Sequence, residues 1–293
     1  MTINTSKALS NSKTQKMAFL WKAIFLSFLF CYTSVPAKEI HVALIDTSFC
    51  PSLIKTSQKI IIDPVKDFTQ SHSFKCYKGI LKKRAFHGHW VLETIVKGLN
   101  PQTPIRITPL IVFNKKGSQK LSYWKRALAF IEEANVDFAV AAAGLPLIEK
   151  NDLLSASSLK TLSKPLLLAT GRKGPYLAKE VPLFPHIHRN WPLFYFGSFH
   201  EGLDSQDPAR SDKMQFSAYP VHYSMPFQDK RAAYPSLKGS SLSVSLGARY
   251  LLEQCLSELS NRENLSKGHL SDCFERGKVL IKGRATSFTS LKE

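Results

Sequence analysis

The sequence predicts one α/β domain of three layers, αβα, with a mostly parallel central sheet between two layers of helices. Apolar runs of strand length alternate along the chain with segments whose apolar residues recur at helical spacing. Helices between consecutive strands act as crossover connections, which make neighbouring strands parallel and bury them on both faces. No Gly/Ser-rich or Pro-rich linker divides the 293 residues, so one large domain is expected.

The predicted elements follow one another in the order that this fold requires. Five strands are predicted, at Ile40–Ile45, Ile105–Val112, Phe138–Ala141, Pro165–Ala169 and Leu193–Gly197. Four helices are predicted, at Gly88–Leu99, Ser122–Ala134, Asn151–Leu162 and Ser240–Ser260. The polar stretch 200–238 contains four X-Pro turns and is expected to form loops with two short strands.

The first 37 residues have the composition of a secretory signal peptide. They contain four lysines and no acidic residue, and their apolar run, Ala23–Tyr32, is too short to span a bilayer. The tripeptide Val35-Pro36-Ala37 resembles a signal-peptidase site, so cleavage is expected after Ala37. Residues 38–293 would then be an exported domain, periplasmic or extracellular, without a stable membrane anchor. An uncleaved anchor and a lipoprotein modified at Cys31 are the alternatives.

The chain is strongly basic, with a formal charge of +18 that falls to +14 when the four lysines of the signal peptide are removed. The basic residues are scattered, apart from short clusters at 82–84 and 115–116. Neither cluster alternates with aromatic residues as single-strand nucleic-acid platforms do. The sequence therefore predicts a solvated basic surface and no nucleic-acid partner.

Four cysteines remain after export, which is an even number in a chain bound for an oxidising compartment. They are Cys50, Cys76, Cys255 and Cys273. Three connectivities are possible, and the local one, Cys50 with Cys76 and Cys255 with Cys273, is preferred. A zinc site is disfavoured because the chain has no close Cys-x-x-Cys pair.

Three residues with catalytic chemistry fall at strand ends or helix starts, where open α/β sheets place their sites. Asp46 ends the strand IHVALID and can orient a histidine. His87 opens a helix whose dipole favours a neutral ring, as a general base requires. Ser241 opens another helix and can supply both a hydroxyl and a free backbone N–H. The simpler interpretations are a turn aspartate, a loop histidine and a serine N-cap.

The chain order Asp46, His87, Ser241 is that of the subtilisin triad. Over roughly residues 40–285 the sequence resembles the subtilase family. VALIDTS is similar to the family's Asp motif, HGHWV to its His-Gly-Thr-x-Val motif and GSSLSVS to its Gly-Thr-Ser-x-Ala-x-Pro motif. The resemblance implies a subtilisin-like fold and a monomeric serine endopeptidase that needs no metal or organic cofactor and acts on peptides or proteins.

The resemblance also implies a role for each site residue. Ser241 would be the nucleophile, His87 the base and then the acid, and Asp46 the group that orients the imidazole. VDFAVAAAG resembles the strand that pairs with an extended substrate, a role that would fall to Ala142, Ala143 and Gly144. LLLATGRKG resembles the segment that holds an oxyanion-hole amide, so Arg172 and the Ser241 N–H would face the oxyanion.

The sequence departs from the family pattern at four positions. Arg172 replaces the oxyanion Asn, His89 and Ser240 each replace a Thr, and Ser245 replaces a Pro. Loss of one oxyanion donor typically costs about 100- to 1,000-fold in rate, although a guanidinium can also donate. Asp46 follows the expected cleavage site by only nine residues, which leaves no room for the usual N-terminal propeptide.

Two other functions are compatible with the residues. One is a catalytically impaired subtilase-like domain that binds peptides or proteins through the same cleft. The other is a metal-dependent hydrolase that uses two His-x-His pairs with a carboxylate. These pairs are His87 with His89 and His186 with His188.

Overall fold

The predicted parallel sheet forms the centre of the computed structural model, which describes residues 38–70, 75–170, 182–199, 223–226, 230–255, 265–276, 278–281 and 284–287. Residues Lys38–Glu293 form one unit. The predicted signal peptide, residues 1–37, lies outside the described residues. None of the described helices has the length and apolar character needed to cross a bilayer.

Eight parallel strands make up the central sheet. They are β1 (Ile40–Asp46), β2 (Ile60–Ile62), β3 (Lys66–Asp67), β4 (Ile105–Ile111), β5 (Phe138–Ala141), β7 (Leu166–Ala169), β9 (Leu193–Phe199) and β10 (Tyr223–Pro226). Their order is β10-β9-β7-β5-β1-β4-β2, and β3 also pairs with β4. The remaining strands form two antiparallel pairs, β6 (Leu145–Pro146) with β8 (Leu183–Phe184) and β11 (Lys278–Ile281) with β12 (Arg284–Ser287).

Within the described residues, five helices cover the two faces of the sheet. They are α1 (His87–Val96), α2 (Leu121–Glu133), α3 (Lys150–Ser157), α4 (Ser240–Gln254) and α5 (Lys267–Arg276). Buried side chains of α1, α4 and α5 pack on one face, and those of α2 and α3 pack on the other. The predicted three-layer α/β class is therefore confirmed.

The strand β1 sets the position of the site because it lies where the connections change direction. After β1 the chain forms β2 and β3 beyond β4 and then returns through α1 into β4 on one side of β1, and the crossover through α2 leads past β1 to β5 on the other side. Open α/β sheets form a crevice at the carboxyl end of the strands at such a point. Alternate residues of β1 face opposite sides, with Val42 and Leu44 in the core on the α1 side. The same alternation turns Asp46 towards α1.

Several predicted boundaries differ from those of the structure. The helix predicted to reach Leu162 ends at Ser157, whose hydroxyl donates to the Leu153 carbonyl. Serine bonds of this kind compete with the helix and favour its termination. Leu162 is nevertheless buried, because the chain after the helix packs beneath α2 and α3. Of the stretch expected to form loops, residues 223–226 form the edge strand β10, and much of the remainder lies outside the described residues.

Two disulfides join the cysteines in the preferred local connectivity. Cys50 pairs with Cys76 at a Cα–Cα distance of 5.6 Å, and Cys255 pairs with Cys273 at 6.1 Å. Both distances lie in the range that a disulfide spans. The first bridge cross-links the turn after β1 to the segment that leads into α1, and the second joins α4 to α5.

Candidate active site

Asp46 and His87 form a buried hydrogen-bonded pair at the carboxyl end of β1. The Asp46 carboxylate is fully buried, and both of its oxygens lie 3.0 Å from His87 Nδ1. His87 begins α1, and one fifth of its side chain is exposed. The structure thus contains the contact that Asp46 would need in order to orient His87.

The contact fixes the proton on the imidazole. An ionised carboxylate can only accept hydrogen bonds, so Nδ1 carries the proton and donates it to Asp46. The lone pair of the neutral ring then lies on Nε2. A histidine held in this tautomer can accept a proton from a nucleophile that approaches Nε2.

A network of backbone contacts holds the Asp46 turn against the first turn of α1. The Thr47 N–H donates to Asp46 Oδ1 at 2.6 Å, and the Gly88 N–H donates to the Thr47 hydroxyl at 2.8 Å. Gly88 also lies where the start of α1 passes close to Asp46 and Phe49. A Cβ on Gly88 would lie 2.9 Å from the Asp46 Cβ and 2.8 Å from the Phe49 ring. The His-Gly sequence is therefore needed to bring the two partners together.

For the endopeptidase that the sequence predicts, substitution of Gly88 by alanine is expected to lower kcat/KM roughly 100-fold, because the added Cβ would displace Asp46 from His87 Nδ1 and small misplacements of reacting groups are costly. Peptide hydrolysis by Gly88→Ala should be compared with that by Gly268→Ala. Gly268 lies in α5, and its nearest new neighbour would be Ser266 Oγ at 3.7 Å, an ordinary contact. Gly268→Ala should keep full activity. Equal activities of the two variants would contradict the packing argument.

Ser241 is the second residue of α4. The N-cap of this helix is Gly239, whose φ of 68° lies in the left-handed region that glycine favours. The alternative in which the serines of this motif serve as the N-cap is therefore wrong. The N–H groups in the first turn of a helix have no intrahelical acceptor and lie at the positive end of the helix dipole. The Ser241 N–H is thus suited to stabilise an anion.

Ser241 reaches the same edge of the sheet as Asp46. Ile45 pairs with Ala141, so Asp46 and Ala142 are the next residues on adjacent strands. The Ser241 hydroxyl donates to the Ala142 carbonyl at 3.4 Å, and α4 packs against α1. Asp46, His87 and Ser241 therefore all lie near the carboxyl end of β1 and β5, with the Ser241 hydroxyl bonded to the Ala142 carbonyl.

The predicted substrate strand follows β5 directly and has small side chains throughout. Ala142 is buried, whereas Ala143 and Gly144 are half-buried. The Ala142 carbonyl accepts from Ser241 Oγ, and the Gly144 carbonyl accepts from Gln119 Nε2 at 3.1 Å. A peptide that pairs along this segment would have to share or replace these two hydrogen bonds. The sequence did not indicate either of them.

The buried ring of His186 packs against the predicted substrate strand at Gly144. A Cβ on Gly144 would lie 2.9 Å from the His186 ring, and His186 Nε2 lies 3.0 Å from the Ala169 carbonyl oxygen. Burial lowers the pKa of His186 to about 4, so the ring is neutral near pH 7. Nothing in the local sequence around His186 indicated this packing role, because it depends on contacts between separate strands.

Three of the four departures from the family pattern lie in the described residues, whereas Arg172 lies outside them. The Ser245 hydroxyl donates to the Ser241 carbonyl at 2.7 Å within α4. Ser240 is buried at the first position of the same helix. His89 is fully buried, and its Nδ1 accepts the Cys50 N–H at 3.4 Å.

Tyr234 connects α1 to the loop that leads into α4. Its ring stacks on Trp90 at a centroid distance of 5.6 Å, and its hydroxyl hydrogen-bonds to Glu93. Burial and the Glu93 carboxylate raise the pKa of Tyr234 to about 12. His89 Nε2 lies 3.4 Å from the same Glu93 carboxylate. Burial lowers the pKa of His89, and the nearby Glu93 carboxylate opposes this effect. These contacts join the elements that carry His87 and Ser241.

The four histidines proposed for a metal site are directed to different partners. His87 contacts Asp46, His89 contacts Glu93, His186 contacts the Ala169 carbonyl, and His188 stacks on Trp191 at 3.9 Å. Within the described part of the chain, no group of three or more His, Cys, Asp or Glu residues is placed to hold a metal ion. The geometry therefore gives the metal-hydrolase alternative no support.

Comparison with known proteins relates the chain to proteases by fold. No family model matches the sequence, and no curated protein sequence matches it. Among solved structures, the prenylagaramide maturation protease PagA is similar with a TM-score of 0.52 and 18% identity, covering 89% of this chain and 90% of that one. A lanthipeptide protease is similar with a TM-score of 0.55 and 12% identity, covering 92% and 90%. The chain therefore has an α/β fold shared with known protease domains.

Proposed function

We propose that this protein is an exported serine endopeptidase of the subtilase type that uses Asp46, His87 and Ser241. The observation that carries the proposal is the fully buried Asp46 carboxylate, with both oxygens 3.0 Å from His87 Nδ1, at the edge of the sheet where Ser241 lies in the first turn of α4. Similarity of the fold to protease domains supports peptide or protein substrates. The two disulfides suit an oxidising compartment.

The proposed reaction proceeds through an acyl-enzyme. Ser241 Oγ attacks the scissile carbonyl carbon while His87 Nε2 takes the hydroxyl proton, and Asp46 stabilises the imidazolium that forms. The oxyanion of the tetrahedral intermediate accepts the Ser241 N–H, and Arg172 is proposed as the second donor. His87 then protonates the leaving amine, which breaks the C–N bond. Water hydrolyses the remaining ester by the same steps.

A fluorophosphonate probe tests the nucleophile directly, since it reacts with activated serines. The mature protein should be labelled at Ser241, and Ser241→Ala should abolish both the labelling and any peptide hydrolysis. The adjacent residue offers a matched control: Ser240 is buried at the helix start, so Ser240→Ala should remain labelled.

Folding should be verified by circular dichroism for each protein in this test. Folded wild-type protein that fails to react with the probe would exclude the endopeptidase. The same outcome would favour the non-catalytic peptide-binding domain. Labelling that persists in Ser241→Ala would assign the nucleophile to another residue.

A further inference from the structure

The segment that leads into His87 carries a concentrated positive charge. No Asp or Glu occurs between Asp67 and Glu93, whereas this interval contains four lysines and one arginine. The lysines are Lys75, Lys78, Lys82 and Lys83, and all four side chains are exposed. Within the described residues, none of the ion pairs includes any of them.

The backbone that presents these lysines is firmly anchored. The Cys50–Cys76 disulfide fixes one end, and the Trp90 indole donates to the Leu81 carbonyl at 2.6 Å. Ile80 and Leu81 are buried with Cys50 and Phe86 in a small apolar cluster. Lys78 and Lys82 lie in the anchored 3₁₀ turn Lys78–Lys82, with Lys83 directly after it and Lys75 next to the disulfide, so a ligand would bind them without first having to order a loop.

An exposed aromatic side chain lies among the lysines. Tyr77 is 55% exposed and directly precedes Lys78. Exposed aromatic rings provide apolar contact area at low entropic cost, and they are frequent at binding surfaces. We call the group formed by Lys75, Tyr77, Lys78, Lys82 and Lys83 the basic exosite.

The basic exosite is close to the proposed reacting groups. Lys83 precedes His87 by four residues, and the 3₁₀ turn Arg84–Phe86 lies between them. At a rise of about 2 Å per residue the two backbones are roughly 8 Å apart. This separation is comparable to the screening length of about 8 Å at physiological salt, so lysine charges directed towards the site would be only partly screened from a substrate there.

We propose that the basic exosite binds an acidic stretch of the peptide substrate and delivers the adjoining peptide bond to Ser241. The proposal rests on the proposed endopeptidase function and adds the substrate class. Asp or Glu side chains of the peptide would pair with the exposed lysines, and an apolar residue would pack on Tyr77. Complementary charge of this kind raises the association rate and makes it dependent on salt.

Binding to the Ser241→Ala variant tests the exosite without requiring catalysis. The probes are a fluorescein-labelled peptide rich in Asp and Glu and its Asn/Gln counterpart, with binding measured by fluorescence anisotropy at 0.05 M and 0.5 M NaCl. The acidic peptide should bind about tenfold more tightly at low salt, and the difference should largely vanish at high salt. The acidic peptide should also slow fluorophosphonate labelling of the wild-type protein.

Two double variants, each lacking two lysine charges, distinguish peptide binding at the basic exosite from attraction by the general positive charge of the protein. Lys82→Gln with Lys83→Gln should reduce binding of the acidic peptide about five- to tenfold. Lys160→Gln with Lys164→Gln removes the same charge before β7, at the opposite edge of the sheet, and should leave binding unchanged. Circular dichroism would verify that both variants fold.

Equal binding of the two peptides, or equal losses in the two variants, would overturn the exosite. Labelling of the wild type reports on the proposed function separately. A labelled enzyme without preference for the acidic peptide would disprove the exosite alone. A protein that is not labelled but shows the lysine-dependent preference would disprove catalysis and leave the exosite standing as a binding site.

Discussion

For the proposed endopeptidase, Asp46→Asn is expected to lower kcat/KM about 10⁴-fold, the scale observed when the triad carboxylate of a serine protease is replaced by an amide. The Thr47 N–H, 2.6 Å from Asp46 Oδ1, would hold the amide oxygen and turn the NH₂ group towards His87 Nδ1. Nδ1 would then accept a hydrogen bond, so the proton would move to Nε2. A ring protonated at Nε2 cannot take the Ser241 proton.

The Asp46→Asn protein should still fold, since the substitution keeps the shape of a fully buried side chain and removes its charge. Hydrolysis and the rate of fluorophosphonate labelling should therefore fall together, with an unchanged urea midpoint. A loss of less than tenfold in both rates would show that Asp46 does not control the tautomer of His87.

Replacement of Cys50 and Cys76 by alanine is expected to lower the free energy of unfolding by about 3 kcal/mol, because the cross-link restricts the unfolded chain. The bridge closes a sequence separation of 26 residues. The variant should also bind the acidic peptide more weakly, beyond the effect of its lower stability. Alanine at position 50 keeps the backbone N–H that donates to His89, so the expected loss comes from position 76, which no longer anchors the start of the basic exosite. Urea unfolding and acidic-peptide binding would measure the two effects.

The second disulfide provides the matched control. Cys255 and Cys273 have a sequence separation of 18, so their replacement by alanine should cost a similar amount, again about 3 kcal/mol. This bridge lies at the end of α4 remote from Ser241, so peptide binding should be retained at temperatures where the variant is folded. Equal losses of binding in both variants would contradict a local role for Cys50–Cys76.

The elements that the sequence predicted well are those buried on both sides. The strands β1, β4, β5, β7 and β9 appear as continuous apolar runs because helices cover both faces of the sheet. The edge strands β2 and β3 were missed, and β10 was expected only as one of two short strands whose positions within residues 200–238 were not predicted. They have two to four residues each, so their formation depends on a neighbouring strand more than on their own pattern.

The residues of the candidate site likewise fall into those that the local sequence could indicate and those that it could not. Asp46, His87 and Ser241 could be proposed because a strand end and two helix starts are visible in the local pattern. Tyr234 and Gln119 could not, because each acts on a segment far away in the sequence. Tyr234 reaches Glu93 and Trp90, and Gln119 reaches Gly144.

The sequence by itself predicted the α/β class, favoured the local disulfide pairing and suggested the three residues of the proposed triad. Each of these depends on a local property, such as apolar periodicity, cysteine spacing or the residue that follows a buried strand. Only the tertiary structure decided that Asp46 contacts His87 through Nδ1 and that Gly239, not a serine, caps α4. The nearness of the lysines to His87 is visible in the sequence, but only the structure shows that the Cys50–Cys76 disulfide and the Trp90 indole anchor their segment. These contacts join residues that are far apart in the chain or depend on backbone conformation, so the local sequence pattern does not predict them.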